Sequence, residues 1–418
     1  MGPDAVAIVP GASLVRRSGD TDYPFRQDSD FWYLTGFDHP DATAIFQTTE
    51  GSPPFSLFVQ PRDRAAETWT GFRPGLEGAR EDFGADESHD CAQLLESIPD
   101  LLKDAQRLYY AFGRDPKLDA RIQAVQEDKR LHSRRGGAPI DQILDPRALL
   151  HEMRLFKSAE ELTLMRTAAS ITCEAHHAAA QEAVPDRNEF EIEALLDYVF
   201  RRSGGSGPAY GSIVAGGPNA AILHYITNNQ PLRTGELLLI DAGGEYQGYA
   251  ADVTRTYPIG GRFEGARKTV YEIVLDSQQV ALDAVKPGAT LPEIHAAALR
   301  RLVEGMVELK LLSGLVDDLI EQQAYTPYYM HSTSHWLGLD VHDVGRYALD
   351  GQPRPLEAGM VFTIEPGLYV SRDDSSAPEA LRGVGVRIED DIAMTVDGYE
   401  NLTQEIPKAP EDIQDWMA

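Results

Sequence analysis

The run LLLIDAGGEYQGYAADVTRTYP, residues 237–258, sets two aspartates into a stretch that otherwise reads as strand. Asp241 closes an apolar run, and the Ala-Gly-Gly after it admits the plain reading of a polar residue opening a turn. Asp252 follows eleven residues later on the next predicted strand, after a glycine-rich connection suited to a hairpin. Two facing strands can present both carboxylates on one face, where like charges repel unless a cation lies between them.

Working outward, GMVFTIEPGLYV (359–370) and GVGVRIEDDIAMT (383–395) also read as strands, and each carries an acid. Glu365 interrupts a run that otherwise calls for burial, and a lone buried glutamate is costly. Glu389 lies two residues after Arg387, on the same face of a strand, so an Arg–Glu pair is the alternative there. The stretch HSTSHWLGLDVHD (331–343) holds three of the chain's 11 histidines. Read alone, it fits a structural cluster as well as a metal or proton-transfer site. Adding His335 to Asp241, Asp252, Glu365 and Glu389 gives four carboxylates and one imidazole, a set suited to a pair of divalent ions with bridging carboxylates. A thiolate zinc site is excluded, because the only cysteines are Cys91 and Cys173.

Helical segments surround these strands. Residues 157–184 form a predicted helix with Ser158 as N-cap and Glu161 as its capping-box partner. Residues 189–205 form a second helix closed by Gly204, and 265–288 a third that stops at Pro287. Residues 290–312 open with the box Thr290–Glu293 and place Pro292 in the first turn. The C-terminal part is therefore α+β. Residues 1–125 mix short apolar runs with Gly and Pro breaks and read as a smaller α/β domain. The basic, Gly- and Pro-punctuated 128–147 is a boundary region, and the domains are expected at 1–152 and 153–418.

A chain of 418 residues is long for one core, which agrees with two domains. The net charge of −28, from 38 basic and 66 acidic side chains, argues against nucleic acid and anionic membranes as partners. No run approaches 18 apolar residues, and MGPDAVAIVPGASLVRRSG reads as a first strand rather than a secretion signal. Two remote cysteines make no disulfide framework, so a cytoplasmic location is expected.

With these residues in place, the chain resembles the pita-bread metallopeptidases, and within them the aminopeptidase P (Xaa-Pro aminopeptidase) branch. The matching stretches are ILHY (222–225), 237–258, 331–345, LEAGMVFTIEPGLYV (356–370) and 383–395. Upstream, YPFRQDSDFWYLTGF (23–37) and HEMRLFKSAEEL (151–162) match too, and RQDSDFWYLTGF points to the aminopeptidase P group. The resemblance implies a C-terminal pita-bread catalytic domain that hydrolyses the bond between an N-terminal residue and a following proline. It implies Asp241 on one ion, Asp252 and Glu389 bridging, and His335 and Glu365 on the second ion. The ions would be manganese, with zinc or cobalt as substitutes. His224 and His342 match non-ligand active-site histidines, Glu365 the proton carrier, His331 a histidine lining the substrate site, and Arg387 the arginine before the last ligand. Asp30 and Trp69 align with residues that reach a neighbouring subunit's active site in tetrameric relatives, and Arg134 or Arg135 would make a similar contact. A homo-oligomer, dimer or tetramer, is thus expected. The alternatives are a prolidase cutting Xaa-Pro dipeptides, a creatinase-like enzyme without metals, and a non-catalytic binding module that lacks ligands.

Overall fold

The structure, a computed structural model, describes residues 1–132 and 139–418. Arg134 and Arg135 lie outside the described residues. The chain divides into two compact units, Met1–His151 and Glu152–Ala418.

The first unit is built on Ala5–Pro10, the predicted first strand. It is buried on both faces, and that is why its sequence reads AVAIV without polar alternation. It pairs antiparallel with Thr43–Gln47 and parallel with Arg107–Tyr109, at the centre of a mixed sheet of six strands. Val6 and Ile8 point into a cluster with Ile98, Leu118 and Ile122 from covering helices. Val9 points the other way, toward Phe31 and Phe37. Helices on both faces of the sheet make this an α/β unit.

In the second unit the predicted helices form, two of them from the predicted capping boxes. Ala159–Gln181 starts at the Ser158–Glu161 capping box, and Leu291–Glu308 at the Thr290–Glu293 box with Pro292 in its first turn. Glu189–Arg202 starts at a further box, Asn188–Glu191, and Gly204 just beyond its end has φ +95°. Gly265–Ala284 packs on Leu291–Glu308 at a point where only Gly305 fits, since a Cβ there would collide with Ile273.

The strands lie under these helices. Leu237–Asp241 pairs antiparallel with Ile213–Gly216 and with Thr254–Pro258, Asp241 standing opposite Thr254. Val361–Ile364 pairs with Asp390–Met394, and Gly367–Tyr369 with Gly385–Arg387. This α+β arrangement is the predicted class.

Three details differ from the sequence reading. The hairpin forms, turning at Gln247 and Gly248, which both adopt positive φ, yet Asp252 lies in a break just before the strand Thr254–Pro258 rather than within it. Gly243 and Ala251 approach so closely there that a side chain on Gly243 would strike the Ala251 carbonyl. The Asp252 N–H leaves the ladder and is taken by the Asp391 carboxylate at 3.1 Å. Second, Glu389 sits between two short strands, Gly385–Arg387 and Asp390–Met394, not inside one. Third, the helix from Gly265 ends at Ala284, before Pro287, as the residue ahead of a proline disfavours helix. The two strand breaks matter most, because they free a carboxylate-bearing residue from regular pairing.

Candidate metal centre and its cleft

A cavity of about 1010 Å³ opens in the second unit, and all five predicted ligands line it. Non-local pairing delivers them. Asp241 ends one strand, and the Glu389 N–H donates to the Thr254 carbonyl of the neighbouring strand at 3.0 Å. His335 and Glu365 arrive together, because residues 333–337 run as an extended segment beside Val361–Ile364. Thr363 donates its N–H to the His335 carbonyl at 3.0 Å and Glu365 to that of Thr333 at 2.8 Å.

Ligating atoms of Asp252, His335 and Glu389 fall within 4.8 Å of one another. His335 Nε2 stands 3.4 Å from Asp252 Oδ2 and 3.6 Å from Glu365 Oε1, which ties Glu365 to the same group. Asp241 joins through Tyr210, whose hydroxyl lies 2.6 Å from Oδ1 of both Asp241 and Asp252. One hydroxyl proton cannot serve two ionised oxygens, so this pair of carboxylates calls for a further positive charge.

Titration behaviour makes the same point. Burial, with Glu365 and the two aspartates nearby, holds the Glu389 carboxyl well above the usual carboxylate range. Burial also raises Asp241 against the opposing pull of Arg387, and it lifts Glu365 to about 7. Burial works against charging His335, yet Asp252 and Glu365 outweigh it and raise the imidazole to about 9. Divalent ions among these oxygens would relieve the repulsion that causes these shifts, and an oxygen-rich set with one imidazole suits them. His335 is oriented for that role, because its Nδ1 faces the Trp336 carbonyl at 3.0 Å and so carries the proton, leaving Nε2 aimed at the carboxylates.

Arg387 organises the wall. It donates from Nη2 to Asp241 at 2.6 Å and from Nε to the Thr254 hydroxyl at 3.0 Å, and that hydroxyl donates to Glu389 Oε2 at 2.6 Å. One guanidinium thereby fixes two of the acids. Its Nη1 donates to the Tyr369 hydroxyl, which leaves the tyrosine proton for His331 Nε2 at 2.9 Å. His331 Nδ1 faces the Ser332 carbonyl at 2.8 Å, so the ring is saturated. Burial lowers it to about 4, and it presents a neutral face to the cavity.

His224 and His342 stand on the open side, both exposed at the cavity rim. The His342 ring packs 4.2 Å from that of His335, and burial lowers its pKa. Its neighbour Asp343 is clamped by Arg154 at 2.6 Å and Lys157 at 3.0 Å, all three side chains being buried.

Tyr210, Thr254, Asp343, Lys157, Arg154 and Asp391 support the site without having been singled out from the sequence. A tyrosine in GPAYGS (207–212) carries no local signal, whereas the paired charges of HEMRLFKS (151–158) could have drawn attention. In the first unit, Asp30 is buried with its carboxylate 3.3 Å from His151, and Trp69 is 89% exposed. No helix among the described residues is long and apolar enough to cross a membrane.

Comparison with known proteins places this geometry. Residues 163–396 match the model of metallopeptidase family M24, and residues 1–109 that of the aminopeptidase P N-terminal domain. The chain belongs to metallopeptidase family M24. Within that family it is 43% identical to an Xaa-Pro aminopeptidase of Escherichia coli, over 100% of this chain and 94% of the relative. Its fold is similar to that of the Pseudomonas aeruginosa aminopeptidase PepP, with a TM-score of 0.96 at 42% identity over 100% of this chain and 94% of that one. A zinc-substituted Escherichia coli aminopeptidase P in complex with product matches at a TM-score of 0.95 and 42% identity, over 100% and 94% of the two chains.

Proposed function

We infer that the chain is a metal-dependent aminopeptidase that hydrolyses the bond between an N-terminal residue and a following proline. The observation that carries this is the convergence of Asp241, Asp252, His335, Glu365 and Glu389 on one cavity of an M24 chain similar, end to end, to Xaa-Pro aminopeptidases. These five residues would hold two divalent ions per subunit. Manganese is the ion we assign, with zinc or cobalt as replacements. The hard, oxygen-rich donor set supports that choice.

When bound, the ions lower the pKa of a water toward neutrality and polarise the scissile carbonyl. Glu365, lining the cavity beside His335, would take the water's proton and pass it to the departing nitrogen. His342 and His224 would each donate an N–H to the substrate carbonyl oxygen as charge develops there. His331 would serve as a wall, since its two nitrogens are already engaged. Arg387 would hold Asp241 in place directly and Glu389 through the Thr254 hydroxyl, its charge favouring their ionised forms. The free amino terminus of a peptide would lie against the acidic wall, which limits cleavage to the first bond. Proline offers no N–H, so its recognition would rest on ring packing.

A dimer or tetramer is proposed, with Trp69, exposed as it is, available to another subunit and Asp30 beside it in function. A cytoplasmic location is proposed as well, supported by two free cysteines, Cys91 and Cys173.

The test is to load the purified chain with Mn²⁺ and assay Xaa-Pro-Yaa tripeptides beside Xaa-Pro dipeptides. Release of the first amino acid from tripeptides is expected, with amino-blocked peptides and alanine-for-proline peptides cut poorly. Cleavage of dipeptides with none of tripeptides would replace this reading by the prolidase one.

A further inference from the structure

We propose that Glu189 is a positioning residue for His224, holding it in place through Tyr225 and the segment Gly216–Gln230. Glu189 is the first residue of the helix Glu189–Arg202, a position whose acids ordinarily face water. The capping task there belongs to Glu191, which accepts the Asn188 N–H at 2.8 Å. Glu189 is instead fully buried.

Its carboxylate is surrounded by donors from one segment. Oε1 accepts the Gly216 N–H at 2.8 Å and the Asn219 side-chain amide at 2.9 Å. Oε2 accepts the Tyr225 hydroxyl at 2.8 Å and the Gln230 N–H at 2.8 Å. Four donors fill the four lone-pair sites of an ionised carboxylate. The segment needs such an anchor. Beyond the short 3₁₀ turn Gly217–Ala221 it has no regular structure of its own. Its far flank is fixed by Asn228, also fully buried, which bonds the Ser212 carbonyl and the Val214 N–H.

His224 projects from this segment into the cavity, and among the described residues none hydrogen-bonds its ring. The place of the imidazole is therefore set by its main chain, and the nearest fixed point is Tyr225, one residue away. A glutamine at 189 would keep size and shape but offer an NH₂ to one pair of donors. Whichever way its amide turned, the N–H of Gly216 or of Gln230 would face another donor. The segment would loosen, and His224 would lose its aim.

The kinetic arm of the test rests on the peptidase reading, while the second arm does not. On an Xaa-Pro-Yaa tripeptide, Glu189→Gln is expected to lower kcat by about 10-fold to 100-fold with metal content unchanged, the scale set by a misplaced catalytic group. In a His224→Ala background the same substitution should cost less than about twofold, because the group it positions is gone. A role in general stability would instead multiply the two losses. Hydrogen exchange of residues 216–230, measured on the same proteins, should quicken in Glu189→Gln and stay unchanged elsewhere in the second unit. If the tripeptide were not cleaved by the unaltered enzyme, the peptidase reading would fall and exchange alone would decide the anchor. Should Glu189→Gln not fold, Tyr225→Phe removes one donor and leaves both main-chain bonds, with a smaller loss and the same non-additivity expected. Multiplying losses, or wild-type exchange in this segment, would overturn the proposal.

Discussion

The two sides of the cavity are built on different principles. On the ligand side, Asp241, Glu365 and Glu389 sit at strand ends or breaks, and backbone ladders on either side fix them within a residue or two. On the histidine side, His224 and His342 ride on irregular segments, each pinned by a buried acid close by, Glu189 bonded to Tyr225 in one case and Asp343 in the other. Ladders give rigidity that survives the loss of one side chain. A loop held by a few buried side-chain anchors does not have that redundancy. Ligands whose mutual distances must stay fixed belong on the first kind of support, and groups that follow a substrate belong on the second.

Substitutions that separate the two sides can break this contrast. The largest effect is expected for Asp252→Ala, which removes a proposed bridging ligand from beside His335 and Glu389. At least one ion should be lost by metal analysis, and activity nearly abolished. Two retained ions with normal turnover would end the ligand assignment.

The adjacent histidines come next. His335→Ala should lower metal content, whereas His342→Ala should keep the ions and reduce turnover by roughly 10²–10³-fold, the loss typical of one oxyanion donor. Equal metal loss in both would erase the distinction between the two sides.

Asp343→Asn tests the support of the histidine side. It leaves Arg154 and Lys157 buried with less countercharge, and breaking such a pair costs about 3 kcal/mol. Denaturant unfolding should register that loss, with metal affinity little changed. A stability equal to the parent would show that the clamp contributes nothing.

The smallest effect is a pH slope. His335 titrates at about 9 and Glu365 at about 7 in the ion-free chain, and both must shed a proton to bind metal. His335 is protonated below its raised pKa, and Glu389, held well above the usual carboxylate range, must shed a proton as well. Metal affinity should therefore climb by at least about tenfold per pH unit from pH 7 to 9. The slope should steepen below pH 7, where Glu365 is protonated too. Calorimetric titration across that range checks it, and a flat profile would remove His335 from the ligand set.

How much of this was legible in the sequence depends on how local each cause is. Ser158 with Glu161 and Thr290 with Glu293 marked helix starts, because a capping box is closed within four residues. The buried central strand Ala5–Pro10 and the Gly-turned hairpin at 247–248 were equally local. Of the five proposed ligands, Asp241, Asp252, Glu365 and Glu389 stood out as acids set in apolar or strand-like runs, and His335 came from a cluster of three histidines. Resemblance to a family then supplied their roles, and spacing alone would not have.

Other features depended on parts of the chain that lie far apart in sequence. The break at Asp252 exists because Asp391 takes its N–H, and Tyr210 matters only where Asp241 and Asp252 meet. Glu189 looks like any acid at a helix start until Tyr225 and Gln230 fold onto it. The sequence by itself determined which residues could carry charge into the core and where the helices begin. Only the tertiary structure decided which acids share a cavity and which serve as anchors, because burial and the donors around a carboxylate arise from contacts between remote segments.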